Sequence, residues 1–361
     1  MIPSSHTNGY AAARFQQGAE FLVRRNVSEA LDCFYSAQHL GFEPSECAAA
    51  RWDCWMLLGE FEKAWRESDF ISELGRDPER FWTGQSWTGK RVMLRCLHGL
   101  GDTIQFIRYA PLLKKTCRSL VVQTHPQLVT LLDSVPGVGR VTTWADGTPG
   151  DDSEWDMHME VNELPRAFRT TLGKIPIMPY LRIPEQRIQW ASEWFEEQGH
   201  LRIGIAWEAG HWNSSRSIPL EEFAPLFASH ECQFFVLQKN AAASDFERWK
   251  TVHDLEIHAA DIRDTAALIL NLDLVITVDT MTAHLAGALA RPVWILLPAV
   301  ADWRWMLNSS ATPWYPSARL FRQKRLGDWS GAIKEICAEL RNSKVLAKLR
   351  SSRAASSNMG K

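Results

Sequence analysis

Several familiar signatures are missing from this 361-residue chain. There is no GxxxxGK followed by Ser or Thr, so P-loop chemistry has no support. There is no GxSxG, which disfavours an α/β-hydrolase. Without HxxxH or a cysteine cluster, no metal site is expected. Seven cysteines are present but scattered (Cys33, Cys47, Cys54, Cys96, Cys117, Cys232, Cys337), and no two form a CxxC. An odd, dispersed set reads as reduced thiols in a cytoplasm. No apolar run is long enough to span a bilayer, and no early one resembles a signal peptide. Net charge is only −2, which argues against a nucleic-acid binder that works by neutralising phosphates. The chain is thus expected to be cytoplasmic, with no membrane span, no nucleic acid and no cofactor.

What is present is an ordinary globular composition, 45% apolar and 23% charged. The length suggests two or three domains. The 17 tryptophans are many, and Trp303, Trp305 and Trp314 fall in one loop-like stretch.

The front of the chain repeats itself. Leu40-Gly41-Phe42-Glu43-Pro44 returns as Leu74-Gly75-Arg76-Asp77-Pro78, an offset of 34 residues, and Ala30 returns as Ala64. That period is the tetratricopeptide one. Gly18, Phe21, Ala30, Phe34, Ala37 and Pro44 fit one unit. Gly59, Phe61, Ala64, Ile71 and Pro78 fit a second. Two readings stand for residues 1–85: a peptide- or protein-docking surface, or a structural cap.

From Lys90 the pattern changes to alternating strands and helices. Strands are expected at 91–97, 119–123 and 140–143, with helices at 103–115 and 127–133. Asp146–Asp152 reads as a surface loop, and Ile175–Tyr180 as an extended closing segment. The pattern restarts with strands at 202–207, 233–237, 274–278 and 293–297. Helices are expected at 221–230 and 264–271, the latter capped by Asp264 or Thr265. Alternation of this kind predicts parallel sheets with covered faces. The expected order is helical repeats over 1–85, a Rossmann-like domain over 86–183, a second Rossmann-like domain over 184–342, and a tail over 343–361 that begins as a helix. Ligands of such folds bind at the C-terminal ends of the strands.

Two junctions carry candidate chemistry. Leu274–Val278 runs into Asp279-Thr280 and then a helix through Met281, Thr282 and His284. A strand feeding a helix N-terminus presents unpaired N–H groups and a positive dipole end, which hold phosphates. His284 is either a ligand contact there or a satisfied helix histidine. Earlier, Gly99-Leu100-Gly101-Asp102 follows the first strand, and Gly101 permits close backbone approach. It is not the GxGxxG of dinucleotide binding. Asp102 is either a general base or an N-cap carboxylate. Arg216, in a polar loop, is either a neutraliser of a leaving diphosphate or a solvated side chain.

Taken in this order and spacing, the motifs resemble glycosyltransferase family 9, the heptosyltransferase-like group, with N-terminal tetratricopeptide repeats. Gly99–Thr103, Val278–Thr280 with His284–Ala286, and Pro292–Pro298 carry the resemblance, over roughly Lys90 to Leu340. Asp302–Trp305, Pro313–Ser317 and Arg319–Gln323 are similar to the repeat-fused members. The resemblance implies an α/β, GT-B architecture of two facing doubly wound domains after an all-α segment. It implies a metal-independent, inverting transfer from a nucleotide-diphospho sugar to a glycan or protein acceptor. Asp102 would be the base. Gly101, Arg216, Asp279, Thr280, Met281, Thr282 and His284 would hold the donor, with Gln105, Trp207, Asp302 and Trp303 as further donor or acceptor contacts. Met281 stands where heptosyltransferases carry Gly, so no particular sugar is implied. The alternatives are a non-catalytic scaffold built on the repeats and a nucleotide-sugar epimerase.

Overall fold

The computed structural model describes residues 5–74, 82, 84–144, 155–176, 179–195 and 199–358, without the side chains of 5–8, 211, 212 and 352–358. The second repeat's Gly75–Pro78, the loop 146–152, and Ile177 with Met178 lie outside the described residues. The chain forms two compact units.

The first unit is built on four helices, α1 (Ser5–Val23), α2 (Val27–His39), α3 (Pro44–Leu57) and α4 (Phe61–Glu73). Ala30, Ala37, Ala48 and Ala64 are fully buried, so neighbouring helix backbones approach closely. Val27, Leu31, Phe34, Cys54 and Leu57 fill the centre. The first three helices end alike. The amides of Asn26, Phe42 and Glu60 each reach back five residues, to the carbonyls of Phe21, Ala37 and Trp55. Arg25, Gly41 and Gly59 hold the positive φ that this ending requires. Inside the helix array Arg51 makes a two-pronged pair with Glu67, Nε–Oε1 and Nη2–Oε2 both 2.7 Å.

This unit is not one run of chain. Glu163–Ile175 and Val300–Ser309 belong to it, although both fall within the segments expected to form the Rossmann-like halves. Side-chain chemistry explains the grouping. Buried Arg166 donates to Asp69, Glu163, Ser72 Oγ and the Trp82 carbonyl. The Trp65 indole donates to the Thr170 carbonyl at 2.8 Å. Trp303 meets Trp52 edge-on, centroids 5.3 Å apart.

The second unit contains two parallel sheets. The smaller uses β1 (Arg91–Arg95), β2 (Ser119–Thr124), β3 (Arg140–Thr143) and β4 (Met157–Glu160), in the order β3-β2-β1-β4. The larger uses β5 (Leu201–Ala206), β6 (Cys232–Val236), β7 (Val252–Asp254), β8 (Leu274–Val278), β9 (Val293–Leu297) and β10 (Ala318–Arg322), in the order β10-β9-β8-β5-β6-β7. Every residue of β8 and β9 is buried, as expected of parallel strands covered on both faces. Each sheet reverses direction of growth at its first strand, β1 or β5. The loops after those strands therefore sit at topological switch points, where α/β folds bind ligands.

Helices cover the sheets. They are α5 (Leu100–Phe106), α6 (Ala110–Lys114), α7 (Val129–Leu132), α9 (Glu185–Ser192), α10 (Ala224–Phe227), α11 (Ala243–Phe246), α12 (Ile262–Leu270), α13 (Met281–Ala288), α14 (Ser330–Glu339) and α15 (Ser343–Asn358), while α8 (Leu164–Ala167) belongs to the first unit. Several details refine or differ from the sequence expectation. The helix expected over 103–115 is broken by a 3-10 turn at Ile107–Tyr109, because Pro111 has no N–H for the Ile107 carbonyl. The cap of α12 is Asp261, whose carboxylate accepts the amides of Arg263 and Asp264. The tail begins as a helix, as expected, and this helix, α15, buries Leu346 and Leu349 in the larger sheet's core.

Candidate active site

The loop after β1 turns directly into α5. Asp102 sits at the third position of that helix, and its Oδ2 accepts the Gly99 amide at 3.1 Å. The carboxylate therefore caps the helix, one of the two readings of its sequence position, and the cap fixes its direction. Asp102 is partly exposed.

The junction after β8 is built in layers. Thr280 is the N-cap of α13, its hydroxyl accepting the Thr282 amide at 3.2 Å and lying 3.2 Å from Thr277 Oγ1. Asp279 is buried, and its carbonyl accepts Arg216 Nη1 at 3.0 Å while its Oδ2 lies 3.8 Å from the same nitrogen. The loop arginine is thus drawn onto the helix start. Met281 is half-buried; Thr282 and His284 are buried within the first turn.

His284 connects the two junctions. Its Nε2 faces Asp279 Oδ1 at 3.9 Å. Its Nδ1 is 2.8 Å from the Tyr315 hydroxyl. Its ring lies against Gly101, where an added Cβ would come within 2.6 Å of Cδ2 and 3.2 Å of Nε2. Only glycine permits that approach. So α5 and α13, from different sheets, are packed together through this pair, and Asp102 is the residue next to the contact.

Behind it lies a cluster that the sequence reading did not select. Arg108, 2% exposed, sits 4.9 Å from the Tyr180 and Tyr315 ring centroids. It donates to the Gln105 carbonyl, the Trp314 carbonyl and the Tyr180 hydroxyl. On the other side of β1, buried Glu160 accepts the Leu97 and Asn162 amides and lies 3.9 Å from His98 Nε2. Nearby Cys96 has its thiol pushed up to about 12 by burial and by the Glu160 carboxylate. The strand carrying Glu160, Met157-His158-Met159-Glu160, was not expected, although Trp155 to Val161 alternates apolar and polar residues, because the run is short and has no β-branched residue before Val161.

Four further expected contacts are placed as follows. Trp207 is buried in the hydrophobic core of the larger sheet. Gln105 is fully buried, because α5 turns that face inward. Asp302 and Trp303 belong to the helical unit. There Asp302 accepts from the Arg304 amide and guanidinium, both at 2.9 Å, and Trp303 packs on Trp52. Indole area is buried more favourably against that partner than in a solvated loop.

Two parallel doubly wound sheets, packed together through α5 of one and α13 of the other, define the GT-B class of α/β protein. One solved structure shares this fold. Escherichia coli ADP-heptose lps heptosyltransferase II aligns over 73% of this chain and 99% of its own, with a TM-score of 0.52 and 14% identity. A glycosyl transferase family 9 structure from Veillonella parvula aligns over 66% of this chain and 87% of its own, with a TM-score of 0.47 and 13% identity. Among curated proteins, Protein FlbA of Caulobacter vibrioides is 26% identical over 322 residues, 80% of this chain and 53% of that protein. The chain therefore spans about half the length of that relative. No family model matches.

Proposed function

We propose that this chain is a metal-independent, inverting glycosyltransferase of the family 9 type, moving a sugar from a nucleotide-diphospho donor to a glycan or protein acceptor. The observation that carries it is the Gly101–His284 contact, which brings a carboxylate on a capped loop beside a polar helix N-terminus. Those are the two groups that an inverting displacement needs. Asp102 takes the proton of the acceptor hydroxyl. The oxygen attacks the anomeric carbon, the bond to the diphosphate breaks, and negative charge collects on the leaving oxygens. Arg216, the Thr280 and Thr282 hydroxyls, the first amides of α13 and His284 receive that charge. The fold shared with the heptosyltransferase supports the reading without selecting the sugar.

The helical unit, with its period of 34, is read as a tetratricopeptide pair that docks the acceptor. The seven cysteines are all free thiols, six of them buried, which fits the proposed cytoplasmic setting. Among the described residues no helix is long and apolar enough to cross a membrane.

The test is calorimetry of the full chain against ADP, UDP, GDP and their sugars, with and without EDTA. Saturable binding that survives EDTA and weakens at least tenfold in Thr280→Val supports the donor site. Binding of none would sink the glycosyltransferase reading in favour of the scaffold. Conversion of a donor without any acceptor would favour the epimerase.

A further inference from the structure

Arg108, on the turn that follows α5, is a buried cation held by neutral groups. It is 2% exposed. Its Nε donates to the Gln105 carbonyl at 2.7 Å, its Nη1 to the Trp314 carbonyl at 2.8 Å, and its Nη2 to the Tyr180 hydroxyl at 3.3 Å. The ring centroids of Tyr180, Tyr315 and Trp314 lie 4.9, 4.9 and 5.7 Å from its Cζ. Among the described residues no carboxylate pairs with it. The comparably buried Arg51 and Arg166 do hold carboxylates, Glu67 in the first case and Asp69 with Glu163 in the second. A guanidinium stays charged at any pH a folded protein meets, and a charge taken out of water is costly unless it is paired. Carbonyl dipoles and ring faces offset part of that cost, but they add no net negative charge. The positive potential of Arg108 therefore persists, and in a low-dielectric interior it acts more strongly than in water.

That potential falls on the candidate site. Tyr315 touches both Arg108 and α13. Its ring is so close to the helix that a Cβ at Gly287 would come within 2.4 Å of it, and its hydroxyl lies 2.8 Å from His284 Nδ1. The Gln105 carbonyl ties the same guanidinium to α5, the helix that carries Asp102. The cation is thus one aromatic ring away from the helix whose N-terminus is read as the diphosphate seat. The charged side chains at that seat do not by themselves favour an anion. Arg216 reaches α13 beside the Asp279 carboxylate, 3.8 Å away. Asp102 adds a second negative charge next to the point where Gly101 meets His284.

We propose that Arg108 is a fixed positive charge behind the site, and that the diphosphate of a bound donor is the counter-ion it lacks. This rests on the diphosphate reading above. Being buried, Arg108 touches no substrate; it acts through the wall that Tyr315 and His284 form. Such a charge is in place before negative charge collects on the leaving oxygens, so none of its benefit is lost to reorganisation. It also favours a diphosphate over a monophosphate, because the second phosphate adds charge and no further part of the nucleoside.

The experiment is calorimetry of the full chain with AMP and ADP, UMP and UDP, and GMP and GDP. It compares the wild type with Arg108→Met and with Arg108→Gln, which can still donate to a carbonyl. The readout is the affinity advantage of each diphosphate over its own monophosphate. A merely structural role would leave that advantage alone, since loosened packing weakens both ligands alike. Both variants are expected to cut it about tenfold, the size of one unit charge acting over roughly 10 Å at an effective dielectric of about 20. An unchanged advantage in either variant overturns the role of Arg108 and leaves the donor site standing. Binding of no nucleotide by the wild type sinks the glycosyltransferase reading and this role with it. If neither variant folds, wild-type protein labelled with 15N-arginine decides. The Arg108 Nε–H signal, assigned through bonds to its own backbone, should shift more on saturation with the diphosphate than with the monophosphate, and equal shifts overturn the proposal.

Discussion

Gly101 and His284 touch across the seam between two parallel sheets, so closely that one methyl group on Gly101 would lie 2.6 Å from the imidazole Cδ2. A loop chosen by β1 and a helix chosen by β8 are thereby fixed to each other. The consequence is measurable. Gly101→Ala should lose about 1–3 kcal/mol of stability by overpacking, read as a lower urea midpoint at unchanged slope. It should also weaken nucleoside diphosphate binding, because the imidazole has to move.

Asp102→Asn keeps a side-chain oxygen for the Gly99 amide, so the helix cap and the melting temperature should survive. The general base should not. Turnover is expected to fall by roughly 10²–10⁴, with donor affinity unchanged. Kinetics and calorimetry on one preparation check both halves, and full activity would remove Asp102 from its role.

In the helical unit, Arg51 and Glu67 form a pair with both side chains nearly excluded from solvent. Removing one partner leaves a buried charge. Glu67→Leu should therefore cost about 3–5 kcal/mol. Replacing both with apolar residues of similar volume, Arg51→Met with Glu67→Leu, should recover most of it. Chemical denaturation followed by helical circular dichroism gives the comparison.

Glu256 offers a test by pH. Burial raises its carboxyl from the ordinary 4.5 to about 7, opposed by Lys239 and by a hydrogen bond from Thr265. Because the folded chain holds this proton more tightly than the unfolded chain, the group favours folding at low pH. That contribution falls as pH rises between about 4.5 and 7. Glu256→Gln should be more stable than the wild type at pH 8, with the advantage gone by pH 4. Equal stability at both pH values would mean the carboxyl is solvated.

Much was determined by the sequence itself. The β-branched run Leu274–Val278 could only be a buried strand, and Thr280 after it could cap the next helix through its hydroxyl. The Gly99–Asp102 turn, the 34-residue period and two parallel α/β sheets are likewise local consequences of spacing, capping and periodicity. The tertiary structure decided the rest, because it depends on partners far away in the chain. Arg108 reads as a helix cation until Tyr180 and Tyr315, 72 and 207 residues on, surround it. Trp303 reads as one of several tryptophans in a loop-like stretch until Trp52 meets it edge-on. Met157–Glu160 alternates apolar and polar residues but is short and lacks β-branched ones, and β1 pairs with it because a central parallel strand must hydrogen-bond on both edges. Periodicity records which face of an element is buried; what buries it is set by contacts between distant residues.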